Sequence, residues 1–121
     1  MDKHVLLIED EPNITEAIRF ILQREGLHVS SHANGATAVD TILHHSPDMI
    51  VLDVMLPNRS GFDILKEVRA TPEIADIPIL MLTAKGQEKD REQAEACGAS
   101  QFMTKPFSNQ EILAAIQTLV A

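Results

Sequence analysis

The chain has 121 residues, of which 45% are apolar, with a formal net charge of −8 and a single cysteine. That length and apolar content suit a single domain over residues 1–121 with one core, and argue against a disordered tail or linker. The acidic balance, with no block of consecutive Lys or Arg, argues against holding nucleic acid directly, and Cys97, alone, excludes an internal disulfide and reads as a small packing residue.

In chain order, Met1-Asp2-Lys3-His4 leads straight into an apolar run, Val5-Leu6-Leu7-Ile8, leaving no room for a signal peptide. No apolar stretch approaches the ~20 residues needed to cross a bilayer, so the expectation is a soluble, cytoplasmic protein without membrane contact. The first run ends in Glu9-Asp10. Pro12 suits a first helical position, and Ile14, Ala17, Ile18, Ile21 and Leu22 follow the spacing of a helix with one buried face, with Gly26 as its stop. Leu27-His28-Val29-Ser30 alternates like a half-exposed edge strand. Asn34 is expected to cap a second helix carrying Ala38, Val39, Ile42 and Leu43, ended by Pro47.

Met49-Ile50-Val51-Leu52 is the second apolar run and ends in Asp53. The loop Pro57-Asn58-Arg59-Ser60-Gly61 precedes a third helix with Phe62, Leu65 and Val68, broken by Thr71-Pro72. A third run, Ile79-Leu80-Met81-Leu82, ends in Thr83. The fourth helix, roughly Gln87 to Ala96, offers little apolar surface and is expected to be among the more mobile elements. Phe102-Met103-Thr104 then ends in Lys105-Pro106. Ser108 and Glu111 make a capping box for the last helix, whose buried face is Ile112, Leu113, Ile116, Leu119 and Val120.

Apolar runs bounded by turn signals read as strands buried on both faces of a parallel sheet. Five such βα alternations predict an open doubly wound α/β sheet. Ligands of such sheets bind beyond the carboxyl ends of the strands, where Glu9, Asp10, Asp53, Thr83 and Lys105 would converge. Carboxylates ~4 Å apart repel by about 4 kcal/mol at an effective dielectric near 20, so a proton or a cation must offset them. An all-oxygen donor set suits Mg²⁺, which favours phosphate as a co-ligand. Pro106 permits a cis peptide that would fix the aim of Lys105. A nucleophilic carboxylate, a cation, a hydroxyl and an ammonium form a set for receiving a phosphoryl group. His44 and His45, being adjacent, would point about 100° apart on a helix, so the sequence does not suggest a histidine metal centre.

These residues identify a resemblance. The acidic pair Glu9-Asp10, Asp53 within Ile-Val-Leu-Asp-Val-Met-Leu-Pro, Gly61, Thr83-Ala84 and Thr104-Lys105-Pro106-Phe107 together resemble the receiver domain of two-component response regulators, over nearly the whole chain. The resemblance implies a flavodoxin-like five-stranded parallel sheet of order 2-1-3-4-5 with five helices, a fold for which a receiver protein is a standing example. It implies that Asp53 accepts a phosphoryl group from a sensor histidine kinase or phosphotransfer protein. Asp10, Asp53 and the Met55 carbonyl would ligate Mg²⁺, with Glu9 acting through water. Lys105, Thr83 and Ala84 would meet the phosphoryl oxygens, and Thr83 and Phe102 would form the switch. Met55 and Lys85 occupy positions that tune phosphate lifetime. The face that switches would comprise the fourth helix, fifth strand and fifth helix, acting as a monomer or a weak phosphorylation-dependent dimer.

Rival readings are an aspartate-nucleophile phosphohydrolase, which lacks its second acid because Met55 stands two residues after Asp53, and a flavin binder, whose phosphate Glu9-Asp10-Glu11 would repel. The chain also fits an excised receiver of a DNA-binding transcriptional regulator. However, Ser100-Gln101 and Ala114-Ala115 replace the paired aspartates and the arginine that such dimers commonly use, which favours a stand-alone or relay receiver with a downstream protein target.

Overall fold

The computed structural model describes residues 3–84 and 88–120. The elements run β1 (His4–Ile8), α1 (Pro12–Arg24), β2 (His28–His32), α2 (Ala38–His45), β3 (Met49–Asp53), α3 (Gly61–Ala70), β4 (Ile79–Thr83), α4 (Glu88–Cys97), β5 (Gln101–Thr104) and α5 (Asn109–Val120). All strand pairs are parallel and the order is β2-β1-β3-β4-β5. The expected doubly wound architecture is therefore present.

Side-chain alternation along the central strands divides the core in two. Leu6, Ile8, Ile50, Leu52, Ile79 and Met81 pack with Ile42 of α2 and with Ile64, Leu65 and Val68 of α3. Val5, Leu7, Met49, Val51, Leu80 and Leu82 face the other way, against Ile18 and Leu22 of α1 and Ile112 and Ile116 of α5. With both faces covered, β3 and β4 are buried along their entire length. β2 and β5, at the edges, are less covered: His28 and Ser31 of β2 and Gln101 of β5 are exposed.

Local chemistry sets the boundaries. Pro12 opens α1, and Ser60 Oγ caps α3 by accepting from the Phe62 N–H at 3.1 Å. The capping box of α5 is complete: the Ser108 N–H donates to Glu111 Oε1 and the Glu111 N–H to Ser108 Oγ, each at 3.0 Å. Asn34 departs from expectation. Its side chain accepts from the Ala36 N–H at 2.9 Å, capping a 3-10 turn over Gly35–Thr37 rather than α2 itself, which begins at Ala38. On α1 the buried position is Thr15 and not Ala17, which is exposed; on α2, Leu43 is 37% exposed. The rest of each expected stripe, Ile14, Ile18, Ile21 and Leu22 on α1 and Ala38, Val39 and Ile42 on α2, packs on the core. The fourth helix was expected from Gln87, which lies outside the described residues; α4 is described from Glu88 and buries only Ala94.

Candidate phosphoryl and metal site

Strand register assembles the site. Ile8 pairs with Leu52, so Glu9 and Asp53 follow side by side at the ends of adjacent strands. Asp53 pairs with Leu82, and Thr83 with Thr104, so Thr83 and Lys105 follow on the next two strands. Main-chain hydrogen bonds carry the alignment past the strand ends: the Glu9 N–H donates to the His32 carbonyl at 3.0 Å, Val54 N–H to Leu82 at 2.9 Å, and Lys105 N–H to Thr83 at 2.7 Å. The Lys105–Pro106 peptide bond is cis.

The Lys105 ammonium stands at the centre of the acids. Its Nζ is 3.0 Å from Glu9 Oε1, 3.3 Å from Asp53 Oδ2 and 3.3 Å from Glu11 Oε1. Glu9 and Asp53 are each only 2% exposed, whereas Asp10 is exposed. Glu9 Oε2 accepts the Glu11 N–H at 3.1 Å, and Asp53 Oδ1 accepts the Met55 N–H at 3.3 Å. The second bond turns the main chain at Met55 around the Asp53 carboxylate, while the Met55 side chain is 69% exposed.

One ammonium does not neutralise this many carboxylates. Burial, with the Asp53 charge adding to it, raises the Glu9 carboxyl to about 7 against the pull of Lys105 and the Glu11 N–H. For Lys105, burial works to lower the ammonium, but the hydrogen bond to Glu9 and the Asp53 charge outweigh it and the net shift is upward.

The donor set fits a hard divalent cation. Glu9, Asp10 and Asp53 each bring one oxygen within 4.8 Å of the others, the only such grouping of potential ligands among the described residues. Glu9 Oε1 is buried and shares the single Lys105 ammonium, 3.0 Å away, with the Asp53 carboxylate. Several carboxylates sharing one ammonium in an all-oxygen cluster leave a surplus of negative charge that Mg²⁺ would relieve.

Thr83 is buried at the end of β4 and Ala84 follows it at the surface. Lys85 lies outside the described residues. Phe102, the other member of the expected switch, is already only 9% exposed; the Arg91 guanidinium of α4 sits 5.3 Å from its ring centroid. Gly61 matters because the chain passes so close to the acid-bearing strand: a Cβ there would lie 2.3 Å from the Asp53 carbonyl oxygen and 2.9 Å from Val54 Cα.

Two contributors were not singled out from the sequence. Glu11 was read only as part of an acidic strand end, yet it pairs with Lys105; its position after the acidic pair was the available signal. Gly35 braces the β3–α3 loop, donating its N–H to the Pro57 carbonyl at 3.0 Å, and Asn58 Nδ2 donates to Asn34 Oδ1 at 3.0 Å. A Cβ on Gly35 would lie 2.6 Å from the Arg59 carbonyl oxygen. Nothing in the local sequence announces that contact.

Residues 5–117 match the response regulator receiver domain, and the chain belongs to that family. It is a signalling domain of two-component systems. Among solved structures, the chain is similar to the chemotaxis protein CheY4 of Vibrio cholerae at 29% identity, covering 98% of this chain and 99% of that one with a TM-score of 0.90. It is similar to the receiver domain of a sensor histidine kinase from Pseudomonas aeruginosa at 30% identity, covering 99% and 98% with a TM-score of 0.89. That protein has a magnesium ion coordinated in its active-site cleft. The signal receiver domain of a histidine kinase from Syntrophus aciditrophicus matches at 28% identity over 98% and 89%, with a TM-score of 0.89. None of the described helices is long and apolar enough to cross a membrane.

Proposed function

We propose that this domain receives a phosphoryl group on Asp53 from the phosphohistidine of a sensor kinase or phosphotransfer protein. The observation that carries this is the Lys105 ammonium held at 3.0 and 3.3 Å between the buried carboxylates of Glu9 and Asp53. An Asp53 carboxylate oxygen attacks phosphorus, forming an acyl phosphate as the phosphorus–nitrogen bond breaks, and the nitrogen's electron pair leaves with the histidine. Asp10 and Asp53, with the Met55 carbonyl and with Glu9 through water, would hold Mg²⁺. When bound, that ion supplies positive charge for the carboxylates and for the incoming phosphoryl oxygens.

The remaining work falls to the chain. Burial of Asp53 and Glu9 restricts water, and the Met55 N–H orients the nucleophile. Lys105 pairs with a phosphoryl oxygen once one arrives, and the Thr83 hydroxyl and the main chain at Ala84 meet the others. The switch runs from Thr83 to the face formed by α4, β5 and α5, as a shift in population between two arrangements. Since Phe102 is already buried, the element free to change is the α4 cover over it. The output is a downstream protein, with the domain acting as a monomer or weak phosphorylation-dependent dimer in a stand-alone or relay receiver.

Intact mass after incubation with acetyl phosphate and Mg²⁺ tests the reading. Wild type should gain one phosphoryl group and Asp53→Asn none. A wild type that stays unmodified, or an Asp53→Asn that is modified equally, overturns it.

A further inference from the structure

The three carboxylates around the Lys105 ammonium are not alike. Those of Glu9 and Asp53 are buried, whereas the Glu11 side chain is 59% exposed and stands 3.3 Å from Nζ. Glu11 and Lys105 both line an open cleft of about 540 Å³, together with Ile14 and Ala17 of α1 and with Pro106 and Phe107 of the loop between β5 and α5. Main-chain bonds hold Glu11 from both sides: its N–H donates to Glu9 Oε2 at 3.1 Å, and its carbonyl accepts the Thr15 N–H at 3.1 Å. The residue just before a helix commonly turns its side chain back to cap the first N–H groups. Glu11 holds that position before α1, makes no such bond, and reaches to Lys105 instead.

We propose that Glu11 determines specificity among phosphoryl donors: its carboxylate holds the Lys105 ammonium until a phosphoryl group arrives, and its charge repels anionic donors at the mouth of the site. The inference rests on the reading of Asp53 as the acceptor. In that transfer an Asp53 oxygen attacks phosphorus, the bond from phosphorus to the leaving group breaks, and Lys105 exchanges one of its carboxylates for a phosphoryl oxygen. Glu9 and Asp53 are buried, so losing the ammonium would leave their charges without solvent. Glu11 is hydrated when released, and an exposed ion pair costs little to break, so Glu11 is the partner that yields. Its charge then stays beside the approach to the site. Repulsion scales with the charge a donor brings, so a free acyl phosphate is penalised most. A donor that carries a compensating positive charge escapes part of the penalty.

The test compares initial rates of Asp53 phosphorylation, read by intact mass with Mg²⁺ present and donor well below saturation, for two small donors. Acetyl phosphate is a dianion that loses acetate; phosphoramidate, whose protonated nitrogen lowers its net charge, loses ammonia. Glu11→Gln keeps the side-chain length and the main-chain bonds to Glu9 and Thr15 while removing the charge. It should speed the acetyl phosphate reaction about threefold or more at low ionic strength, speed the phosphoramidate reaction less, and converge on wild type as salt is raised. Glu25→Gln removes a like charge at the far end of α1, about 21 Å along the helix at ~1.5 Å per residue, and should react as wild type. An unchanged or slower acetyl phosphate reaction in Glu11→Gln, an equal gain with both donors, or a gain that salt does not reduce overturns the inference; labelling of wild type on Asp53 in the same assay leaves the acceptor reading standing. Wild type that neither donor labels overturns the acceptor reading and this inference with it.

Discussion

α3 and α4 are both ten-residue helices beside the same core, and they are held very differently. α3 buries Phe62, Ile64, Leu65 and Val68, is capped by Ser60, and starts against the acid-bearing strand at Gly61. α4 buries Ala94 and otherwise presents Glu88, Lys89, Arg91, Glu92 and Gln93 to solvent. At roughly 1.5–3 kcal/mol per large buried apolar side chain, the first helix is anchored several-fold more strongly than the second. Under the proposed switch, α3 would be the fixed wall of the site and α4 the one able to respond.

The contact that couples the two helices is Arg69, near the end of α3. Its guanidinium donates to the carbonyls of Ala75 at 2.8 Å and Ile77 at 2.7 Å, and its Nε to Gly98 at 2.8 Å, just beyond α4. The C-terminal end of α4 is therefore tied down. The end near Thr83 has no comparable anchor among the described residues.

Substitutions can break the comparison. The largest effect is expected for Leu65→Ala, which empties a fully buried α3 position and should cost about 2–5 kcal/mol in chemical denaturation. Arg69→Ala removes charged hydrogen bonds worth about 1.5–3 kcal/mol and should accelerate amide exchange at the C-terminal end of α4. Unchanged exchange there would show that Arg69 is not the tie. Gly61→Ala should cost about 1–3 kcal/mol through crowding against the Asp53 carbonyl, with a matching loss of phosphorylation rate. Glu92→Ala, on the exposed face of α4, should stay within about 0.5 kcal/mol; a cost like that of Leu65→Ala would refute the idea that α4 is lightly held.

The smallest expected effect lies at the other end of the sheet. His4 has a folded-state pKa below its ordinary 6.5, so the unfolded chain takes up a proton first as pH falls. Stability should be fully present above about 6.5 and decline as pH drops through that value, and His4→Gln should flatten the decline. An unaltered profile in His4→Gln would assign the acid sensitivity to other groups. In the acid cluster the sign is opposite without metal: Glu9, raised to about 7 from 4.5, makes the folded state the stronger proton binder, so stability should fall as pH rises between those values.

The amino-acid sequence by itself determined the alternation of elements, the central strands and the residues at their ends, because continuous apolar runs have few ways to be buried and a polar residue ending one must sit at the rim. It also carried the capping box of α5 and the thin apolar content of α4, since both depend on neighbours a few residues apart. Only the tertiary structure decided that Lys105 reaches Glu9, Glu11 and Asp53 together, that Arg69 gathers carbonyls from two loops, that Gly35 braces the loop after Asp53, and that His4 meets His45. Apart from the Arg69 bonds to Ala75 and Ile77, those contacts join segments far apart along the chain. Their geometry is set by strand register and by the reach of long side chains across it, quantities that no local pattern encodes.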